Sequence, residues 1–399
     1  MLLKCATVAL LMACATPVAG ASVEWSGARH GATLPAQVSQ NVMFAQLSVR
    51  GATLRFLVDT GASTSVLDSD TAARLELKPS DSQSMATSGA AVAAGHLDAL
   101  ELTAPGVAIR GVPFVVTSLA QMSVHFGRQV DGILGYDFFA PLAVTFDFAS
   151  HELRLNDASV EPTATGFACL PLRIRARQPY ASATIIGEDG ARVAGHFMVD
   201  TGASGTLQLE GGVATNRALH GAAGVRRDLG HGVGGDFGFV WLPVAAVRVG
   251  PYELRRPKVA RLDDTRSDRG DGLLGGAILR RFTLVVSYSR KLMCLRPNAE
   301  IAREFTTDLA GLTPIWPGPD LRPLTVGSVA TESPAARAGL RPGDVIESIG
   351  GRPGGSIDVD ELAQLLRAPG ALYEVRVRRG QSLMELHLEL PAAEAPGLR

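Results

Sequence analysis

The chain has 399 residues, of which 46% are hydrophobic and 19% are charged, and its formal net charge is −1. This is the composition of a globular protein with ample material for buried cores, and the length favours two or three domains over one. The balanced charge, with no long run of one sign, argues against a surface for nucleic acid or an anionic membrane.

The N-terminus, residues 1–21, is typical of an export signal. Lys4 precedes an apolar run, and small residues in an A-x-A-like pattern then predict a mature start near Ser22. The run is too short to span a bilayer as a helix, and no later segment reaches the required length. We therefore expect an exported protein, periplasmic or secreted. The segment ending at Cys14 also resembles a bacterial lipoprotein processing site, which would leave a lipid anchor instead.

Export would permit a disulfide in the mature chain. Of the 4 cysteines, Cys169 and Cys294 lie beyond the signal. They could pair in an oxidising compartment, and two buried free thiols are the alternative that the sequence leaves open.

A short sequence occurs twice in the chain. Residues 56–63 read FLVDTGAS, and residues 197–204 read FMVDTGAS. Some seventy residues after each octet comes an apolar-apolar-Gly segment, ILG at 133–135 and LLG at 273–275. The same order of parts in two stretches of sequence predicts an internal repeat.

The first block (roughly 35–157) and the second block (roughly 166–297) have the pattern of β-structure. Their strand-like stretches are short, rich in β-branched or aromatic residues, and separated by Gly, Pro, Asn or Asp. Short helices are predicted after the apolar-apolar-Gly segments, at Tyr136–Phe139 and Ala277–Arg281. We therefore expect a mainly β protein.

A C-terminal unit, from about 311 to 392, follows a Pro-rich connector. Ser333 is placed to cap a short helix. A second helix is predicted at about 358–367, where Asp358 and Glu361 have capping-box spacing. Two strands close this unit, which we expect to be a small α+β domain.

Each octet has the features of an aspartate held on a turn at the end of a buried strand. Gly61 gives the backbone a freedom that lets N–H groups approach the carboxylate. Two such carboxylates, brought face to face by twofold packing, cannot both ionise comfortably and share a proton. The charged one can accept a proton from water while the neutral one donates to a substrate carbonyl. This chemistry needs no metal or cofactor, and none is expected.

Both blocks resemble aspartic proteases of the retropepsin and pepsin superfamily, in the pattern apolar-apolar-Asp-Thr-Gly-Ala-Ser followed by apolar-apolar-Gly. The resemblance covers about two thirds of the chain. It implies two pseudo-symmetric retropepsin-like β-barrel lobes, at 22–157 and 158–300, that form a bilobal aspartic protease. It also implies that Asp59 and Asp200 are the catalytic pair.

The same resemblance implies roles for the neighbours of the two aspartates. Thr60 and Thr201 would brace the two turns across the axis, and Gly61 and Gly202 would supply backbone donors.

The resemblance further implies a glycine-rich flap over the substrate. The sequence HGVGGDFG at 231–238 is the candidate in the second block, and TSGAAVAAGH at 87–96 is a looser one in the first. Glycines would allow such a flap to open and close. The predicted flap residues are Gly232, Val233, Gly234 and Gly235.

Alanine follows each DTG, as Ala62 and Ala203, where pepsins have a hydroxyl residue. A hydroxyl there can hydrogen-bond the charged carboxylate and favour ionisation, so its absence should raise the apparent pKa values of the pair. We expect an activity optimum in mildly acidic conditions, above the range of pepsin.

The C-terminal unit resembles the PDZ domains attached to bacterial envelope proteases, above all in SPAARAGLRPGD (333–344). Such domains add a peptide C-terminus as a strand beside a helix, here 358–367, and hold its carboxylate on backbone N–H groups. Where the family tends to show apolar-Gly-apolar, this sequence has DLRPLTV (320–326), in which Pro323 removes a donor. Peptide capture and a purely structural or interaction role both stay open.

The leading interpretation is an exported aspartic endopeptidase with a PDZ domain for recruitment or regulation. The alternative is a catalytically inactive peptide-binding or scaffold protein on the same fold. The near-equal repeats and their short connection, about 156–166, favour pairing of the blocks within a monomer over pairing with a second molecule. The expected partner is a polypeptide substrate, with no nucleic acid.

Overall fold

A computed structural model describes residues 20–26, 30–80, 83–85, 92–159, 165–216, 219, 227–232, 235–262, 270–306, 308–318 and 320–392. The predicted signal, including Cys14, lies outside these residues except for its last two positions. The looser flap candidate at 87–96 is described only from Val92 onward. Within the described ranges, no helix combines the length and apolar character that crossing a membrane requires.

The chain is mainly β, as predicted. The first block and the residues before it contain strands β1 (Ser22–Trp25), β2 (Gly31–Ser39), β3 (Val42–Val49), β4 (Ala52–Val58), β5 (Ser65–Asp68), β6 (Gln83–Met85), β7 (Val92–Ala104), β8 (Val107–Thr117), β9 (Gly132–Leu134), β10 (Leu142–Asp147) and β11 (Glu152–Asp157). Its helices are α1 (Ser69–Arg74), α2 (Ala120–Phe126) and α3 (Tyr136–Phe139). Helix α3 has the predicted bounds.

The second block is likewise built mainly of short strands. They are β12 (Ala168–Pro171), β13 (Arg173–Arg175), β14 (Gln178–Ile186), β15 (Arg192–Val199), β16 (Leu207–Leu209), β17 (Arg227–Gly232), β18 (Gly235–Leu242), β19 (Ala246–Val249), β20 (Tyr252–Arg255), β21 (Val259–Leu262), β22 (Gly272–Leu274), β23 (Phe282–Ser287) and β24 (Leu292–Pro297). Its helices are α4 (Gly211–Ala214) and α5 (Gly276–Leu279). Helix α5 begins one residue before the predicted Ala277 and ends two before Arg281.

Corresponding strands of the two blocks pair in the same way. Strand β4 lies parallel to β9, with Val58 beside Leu134, and β15 lies parallel to β22, with Val199 beside Leu274. Strands β5 and β16 then pair antiparallel with β9 and β22. Each DTG therefore follows a strand that pairs with the apolar-apolar-Gly segment of the same block.

A sheet shared by the two blocks joins them within one chain. Strand β10 pairs antiparallel with β23, so that Thr145 lies opposite Val285. The sheet continues through β11 and β2 on one side and through β24 and β12 on the other. One hydrophobic core contains buried residues of both blocks, such as Phe146 and Leu284. This shared packing fixes how the two blocks face each other.

A disulfide joins Cys169 in β12 to Cys294 in β24. The two cysteines lie directly opposite each other in the β12–β24 pairing. The sequence left open whether they pair, and the structure has them bonded at the outer end of the shared sheet.

The C-terminal unit has its own core around the fully buried Trp316. Its strands are β25 (Leu312–Ile315), β26 (Thr325–Val329), β27 (Val345–Ile349), β28 (Arg352–Pro353), β29 (Leu372–Arg379) and β30 (Ser382–Glu389). Its helices are α6 (Pro334–Arg337), α7 (Val359–Leu365) and the 3-10 turn Gly354–Ser356. Both predicted caps form, since Ser333 accepts from the Ala336 N–H at 3.1 Å and Asp358 from the Glu361 N–H at 2.8 Å.

The sheet of the C-terminal unit corrects the predicted position of the carboxylate loop. Its strand order is β25-β26-β27-β29-β30, so β26, which begins with the last two residues of DLRPLTV, pairs on both sides. An interior strand has no free edge to which a peptide can add. Assigning the loop to 320–326 was therefore wrong, and β25 is an edge strand of this sheet.

Candidate active site

Asp59 and Asp200 directly follow strands β4 and β15. Each aspartate begins a DTGAS turn, at 59–63 in the first block and at 200–204 in the second. The backbone N–H of Asp59 donates to the Leu134 carbonyl at 3.0 Å, and that of Asp200 donates to the Leu274 carbonyl at 3.0 Å. The apolar-apolar-Gly strands thus fix where both turns start.

Backbone donors hold one oxygen of each carboxylate. Asp59 Oδ1 accepts from the N–H groups of Gly61 at 2.7 Å and Ala62 at 3.2 Å. In the second turn, Asp200 Oδ1 accepts from the equivalent Gly202 and Ala203 groups, at 3.0 and 2.9 Å. The side chains are therefore oriented before any substrate binds.

The glycines of the two turns let the carboxylates come together. A Cβ placed on Gly61 would lie only 2.6 Å from Cγ of Asp200, and a Cβ on Gly202 would collide with the Asp59 carboxyl group. Since real Cβ atoms do not approach other heavy atoms so closely, only glycine permits this contact. The structure thus brings Asp59 and Asp200 together across the two blocks.

Four hydrogen bonds from two buried threonines tie the turns to each other. The Thr60 N–H donates to Thr201 Oγ1 at 3.0 Å, and the Thr201 N–H donates to Thr60 Oγ1 at 3.1 Å. Thr60 Oγ1 in turn donates to the Val199 carbonyl at 2.6 Å, and Thr201 Oγ1 donates to the Val58 carbonyl at 2.8 Å. This reciprocal set makes the relative position of the two turns rigid.

Burial raises the pKa of both aspartates. The pKa of Asp59 lies well above its ordinary value because of burial first and the charge of Asp200 second, and its backbone donors offset this only in part. Burial also raises the pKa of Asp200. Two carboxyl groups in this situation retain one proton to higher pH than isolated ones, which leaves one acid and one base side by side.

Tyr288 is a site residue that sequence reasoning missed. Its hydroxyl donates to the Thr60 carbonyl at 2.7 Å, and its ring lies 5.5 Å from those of Tyr136 and Phe139. Burial, followed by the charges of Asp59 and Asp200, raises the pKa of Tyr288 well above its ordinary value, so the hydroxyl stays protonated as a donor. Alignment of the two blocks could have drawn attention to this position, because the first block has Phe148 where the second has Tyr288, which differs by a hydroxyl group.

Each block also contributes a turn that contacts the DTGAS turn of the other block. Gln178, after the β13–β14 turn, donates through Nε2 to the Gly61 carbonyl at 2.5 Å. Asn41, in the β2–β3 turn, donates through Nδ2 to the Ser204 carbonyl at 2.8 Å. The outer faces of both DTGAS turns are therefore held by the opposite block.

The second-block flap candidate forms a hairpin. Strands β17 and β18 pair antiparallel, with Gly232 opposite Gly235 at their ends. Val233 and Gly234, the remaining predicted flap residues, lie outside the described residues. Placement of this hairpin over a substrate stays a prediction.

The described residues contain no cluster of three or more His, Cys, Asp or Glu side chains that could hold a metal ion.

Comparison with protein families identifies two domains. A family model described as aspartyl protease matches residues 45–138, which include Asp59 and the ILG segment, and a PDZ domain model matches residues 325–379. Comparison with curated proteins gives no match. The first domain suggests a hydrolase of the aspartic protease type, and the second suggests peptide binding. The chain thus contains an aspartyl protease domain within its first block and, after both blocks, a PDZ domain.

Proposed function

We propose that the protein is an aspartic endopeptidase that hydrolyses peptide bonds with a water molecule activated by Asp59 and Asp200. The observation that carries the proposal is the contact of these two carboxyl groups across the repeat, with both pKa values raised. An incidental pair of surface acids would have neither the reciprocal threonine bonds nor the backbone donors that orient each oxygen.

The proposed mechanism uses one shared proton. The ionised carboxylate takes a proton from the attacking water, and the protonated partner donates to the carbonyl oxygen of the scissile bond. The resulting tetrahedral intermediate collapses when the leaving nitrogen receives a proton from one carboxyl group while the other takes back a proton from a hydroxyl of the intermediate. The backbone bonds of Gly61 and Gly202 keep both carboxyl groups in position through these transfers.

The wider organisation is part of the same proposal. The two blocks would form pseudo-symmetric retropepsin-like β-barrel lobes, with the hairpin around Gly232 and Gly235 as the flap over an extended peptide. The common pairing of β4 with β9 and of β15 with β22 supports the pseudo-symmetry. The PDZ domain would serve recruitment or regulation.

We also propose that the protein is exported, to the periplasm or outside the cell. The signal-like residues 1–21 and the Cys169–Cys294 disulfide support this, since disulfides persist in oxidising compartments. Lipid attachment at Cys14 is the alternative processing, and mass measurement of the mature N-terminus separates the two.

The test compares the mature protein with its Asp59→Asn and Asp200→Asn variants on a peptide library over a pH series. We expect each variant to lose about 10²–10⁴-fold in cleavage rate, because asparagine keeps the backbone bonds but cannot exchange the proton. The wild type should peak in mildly acidic conditions and be blocked by a statine-type inhibitor. Asp98→Asn, a change of the same kind at an exposed aspartate, is the matched control.

Three outcomes of this experiment decide the matter. Equal cleavage by the wild type and both variants would eliminate the pair. A peak near pH 2 would contradict the inference from Ala62 and Ala203. Peptide binding without cleavage by any of the proteins would favour the inactive scaffold.

A further inference from the structure

The edge strand of the PDZ domain begins in a loop whose backbone N–H groups converge on one acid. The N–H groups of Ala310, Gly311 and Leu312 donate to the Asp308 carboxylate at 2.9, 2.6 and 3.0 Å. Gly311 has φ +71°, and a side chain there would also collide with Ser333. Successive N–H groups that point inward in this way form an anion-binding nest.

The nest lies where a PDZ domain would hold the terminal carboxylate of a peptide. It directly precedes β25, an edge strand of its sheet, and the Leu309 N–H donates to the Leu366 carbonyl at the end of α7 at 2.9 Å. A peptide added to β25 beside this helix would place its C-terminus in the loop. Ala310-Gly311-Leu312, rather than 320–326, is therefore the apolar-Gly-apolar segment of this PDZ domain.

The donors on the free edge of β25 are also absent or in use. Backbone groups alternate between the two edges of a strand, so Leu312, Pro314 and Trp316, the residue directly after β25, share the side that faces away from β26. The Leu312 N–H is bonded to Asp308, Pro314 has no N–H, and the Trp316 N–H donates to the Val124 carbonyl at 3.0 Å. No N–H at these three positions is left for an incoming peptide.

The far end of this edge packs against the first block. Trp316 is fully buried, and its ring lies so close to Gly127 that a Cβ there would be 2.9 Å away. At the start of α7, Asp360 accepts from the Gln40 N–H at 3.0 Å and pairs with Arg128 at 3.3 Å. Residues 124–128 therefore lie between the end of β25 and the start of the helix.

We propose that the peptide groove of this PDZ domain is occupied by the chain itself. The Asp308 carboxylate takes the place of a peptide's terminal carboxylate, and residues 124–128 take the place of its upstream residues. The domain is then a fixed brace of the first block and is closed to free C-termini. Asp308 is the residue that sets this specificity, and removing its carboxylate opens the nest.

The test uses the full-length protein carrying Asp59→Asn, so that probe peptides are not cut. The probes are a pool of random-sequence peptides with a free C-terminal carboxylate and the same pool with a C-terminal amide. The measured quantity is the ratio of the two pools retained on immobilised protein. We expect a ratio near one for this protein and a rise of about tenfold or more with Asp308→Ala, because charge-assisted hydrogen bonds to three donors become available.

The matched control is Asp320→Ala, which removes an exposed acid from the same domain. A carboxylate preference without any change at Asp308 would overturn the proposal, as would a folded Asp308→Ala protein with a ratio near one, or an equal gain with Asp320→Ala. If Asp308→Ala fails to fold, the amide resonances of Ala310, Gly311 and Leu312 give the answer in the full-length protein without a change at Asp308. They should not move on addition of N-acetyl-leucine, and a saturable shift would refute the closed nest.

Discussion

Asp59 and Asp200 are each subject to two opposing influences on protonation. Burial favours the neutral form of each, and the backbone donors of Gly61 and Gly202 favour the charged form. The neighbouring acid adds to the effect of burial at Asp59 and opposes it at Asp200, through the hydrogen bond between them. Because burial is the largest influence on both, the pair keeps a proton at a pH where exposed aspartates have lost theirs. Ionisation of the buried pair therefore destabilises the folded protein, and this is the consequence of placing an acid and a base in contact.

The stability of the protein should show this cost as pH rises. A carboxyl group whose pKa is raised on folding binds more protons in the native than in the unfolded state, so stability falls with increasing pH. The contribution is fully present below the ordinary pKa of 3.8 and is lost as pH rises through the raised pKa of the folded pair. Urea unfolding of the wild type and Asp59→Asn should therefore diverge above about pH 4, with the variant less pH-dependent.

Taking the difference between the two proteins cancels the titration of carboxyl groups elsewhere. Asp157 and Asp344, for example, have lowered pKa values from hydrogen bonds to Ser159 and to Arg379, and they titrate alike in both. Parallel stability curves would mean that Asp59 has an ordinary pKa in the folded protein.

Tyr288→Phe tests the bond to the first DTGAS turn. The change removes the donor to the Thr60 carbonyl and keeps the ring that packs on Tyr136 and Phe139. We expect a loss of about 1–3 kcal/mol in the free energy of unfolding, because a buried carbonyl is left without its partner. The rate of cleavage should fall with little change in KM, since the buried hydroxyl acts through the Thr60 carbonyl.

Tyr252→Phe is the matched control for this change. It removes a hydroxyl that donates to the Leu295 carbonyl at 3.3 Å, away from the DTGAS turns. An equal loss of activity in both variants would indicate a general effect of losing a tyrosine hydroxyl rather than positioning of the turn.

At the residue scale, the sequence predicted what is local and repeated. The octets identify Asp59 and Asp200 because a strand, an acid and a glycine are adjacent in the chain. Tyr288 lies 228 residues from Thr60, and only the shared sheet brings them together. The role of Asp308 was missed for a similar reason. The backbone N–H groups that bind its carboxylate can be recognised as a peptide-binding loop only when β25 is known to be an edge strand.

At the scale of elements, each block stabilises the DTGAS turn of the other through hydrogen bonds. Asn41 and Gln178 each contact the DTGAS turn of the opposite block. Thr60 and Thr201 donate hydrogen bonds to each other across the contact between the blocks. Neither turn is complete without the other block, so folding of the blocks and assembly of the site are the same event. Local rules predicted the caps of α6 and α7, because capping depends on residues three positions apart. They could not predict strand order, which distant residues decide.

The disulfide should contribute stability without contributing to the site. It closes a loop of 125 residues at the outermost strand of the shared sheet. Replacing Cys169 with Ser and Cys294 with Ala should lower the free energy of unfolding by about 2–5 kcal/mol, measured by urea unfolding. Cleavage at low temperature should stay near the wild-type rate. Reductant should weaken the wild type to the same extent and leave the variant unchanged, whereas a reductant-sensitive variant would contradict the assignment.

At the scale of the whole molecule, one turn contacts both the PDZ domain and the candidate active site. The Gln40 N–H donates to Asp360 of α7, and the next residue, Asn41, donates to the Ser204 carbonyl of the second DTGAS turn. Arg280 also donates to Asn41 at 3.1 Å. The PDZ domain is thus separated from a DTGAS turn by a single two-residue turn, which gives it a physical means to influence the position of that turn.

Truncation after residue 306 removes the PDZ domain and should show whether that domain stabilises the first block without being needed for catalysis. This end point keeps the bonds from Arg281 to the carbonyls of Glu300 and Ile301, and every hydrogen bond described for the DTGAS turns. It removes Trp316 from Gly127 and leaves the Gln40 N–H without Asp360. We expect a thermal midpoint lower by about 3–10 °C and continued cleavage of short peptides. Asp360→Ala in the full-length chain should have a smaller effect in the same direction. A truncated protein as stable as the full-length one would show that the PDZ domain braces nothing.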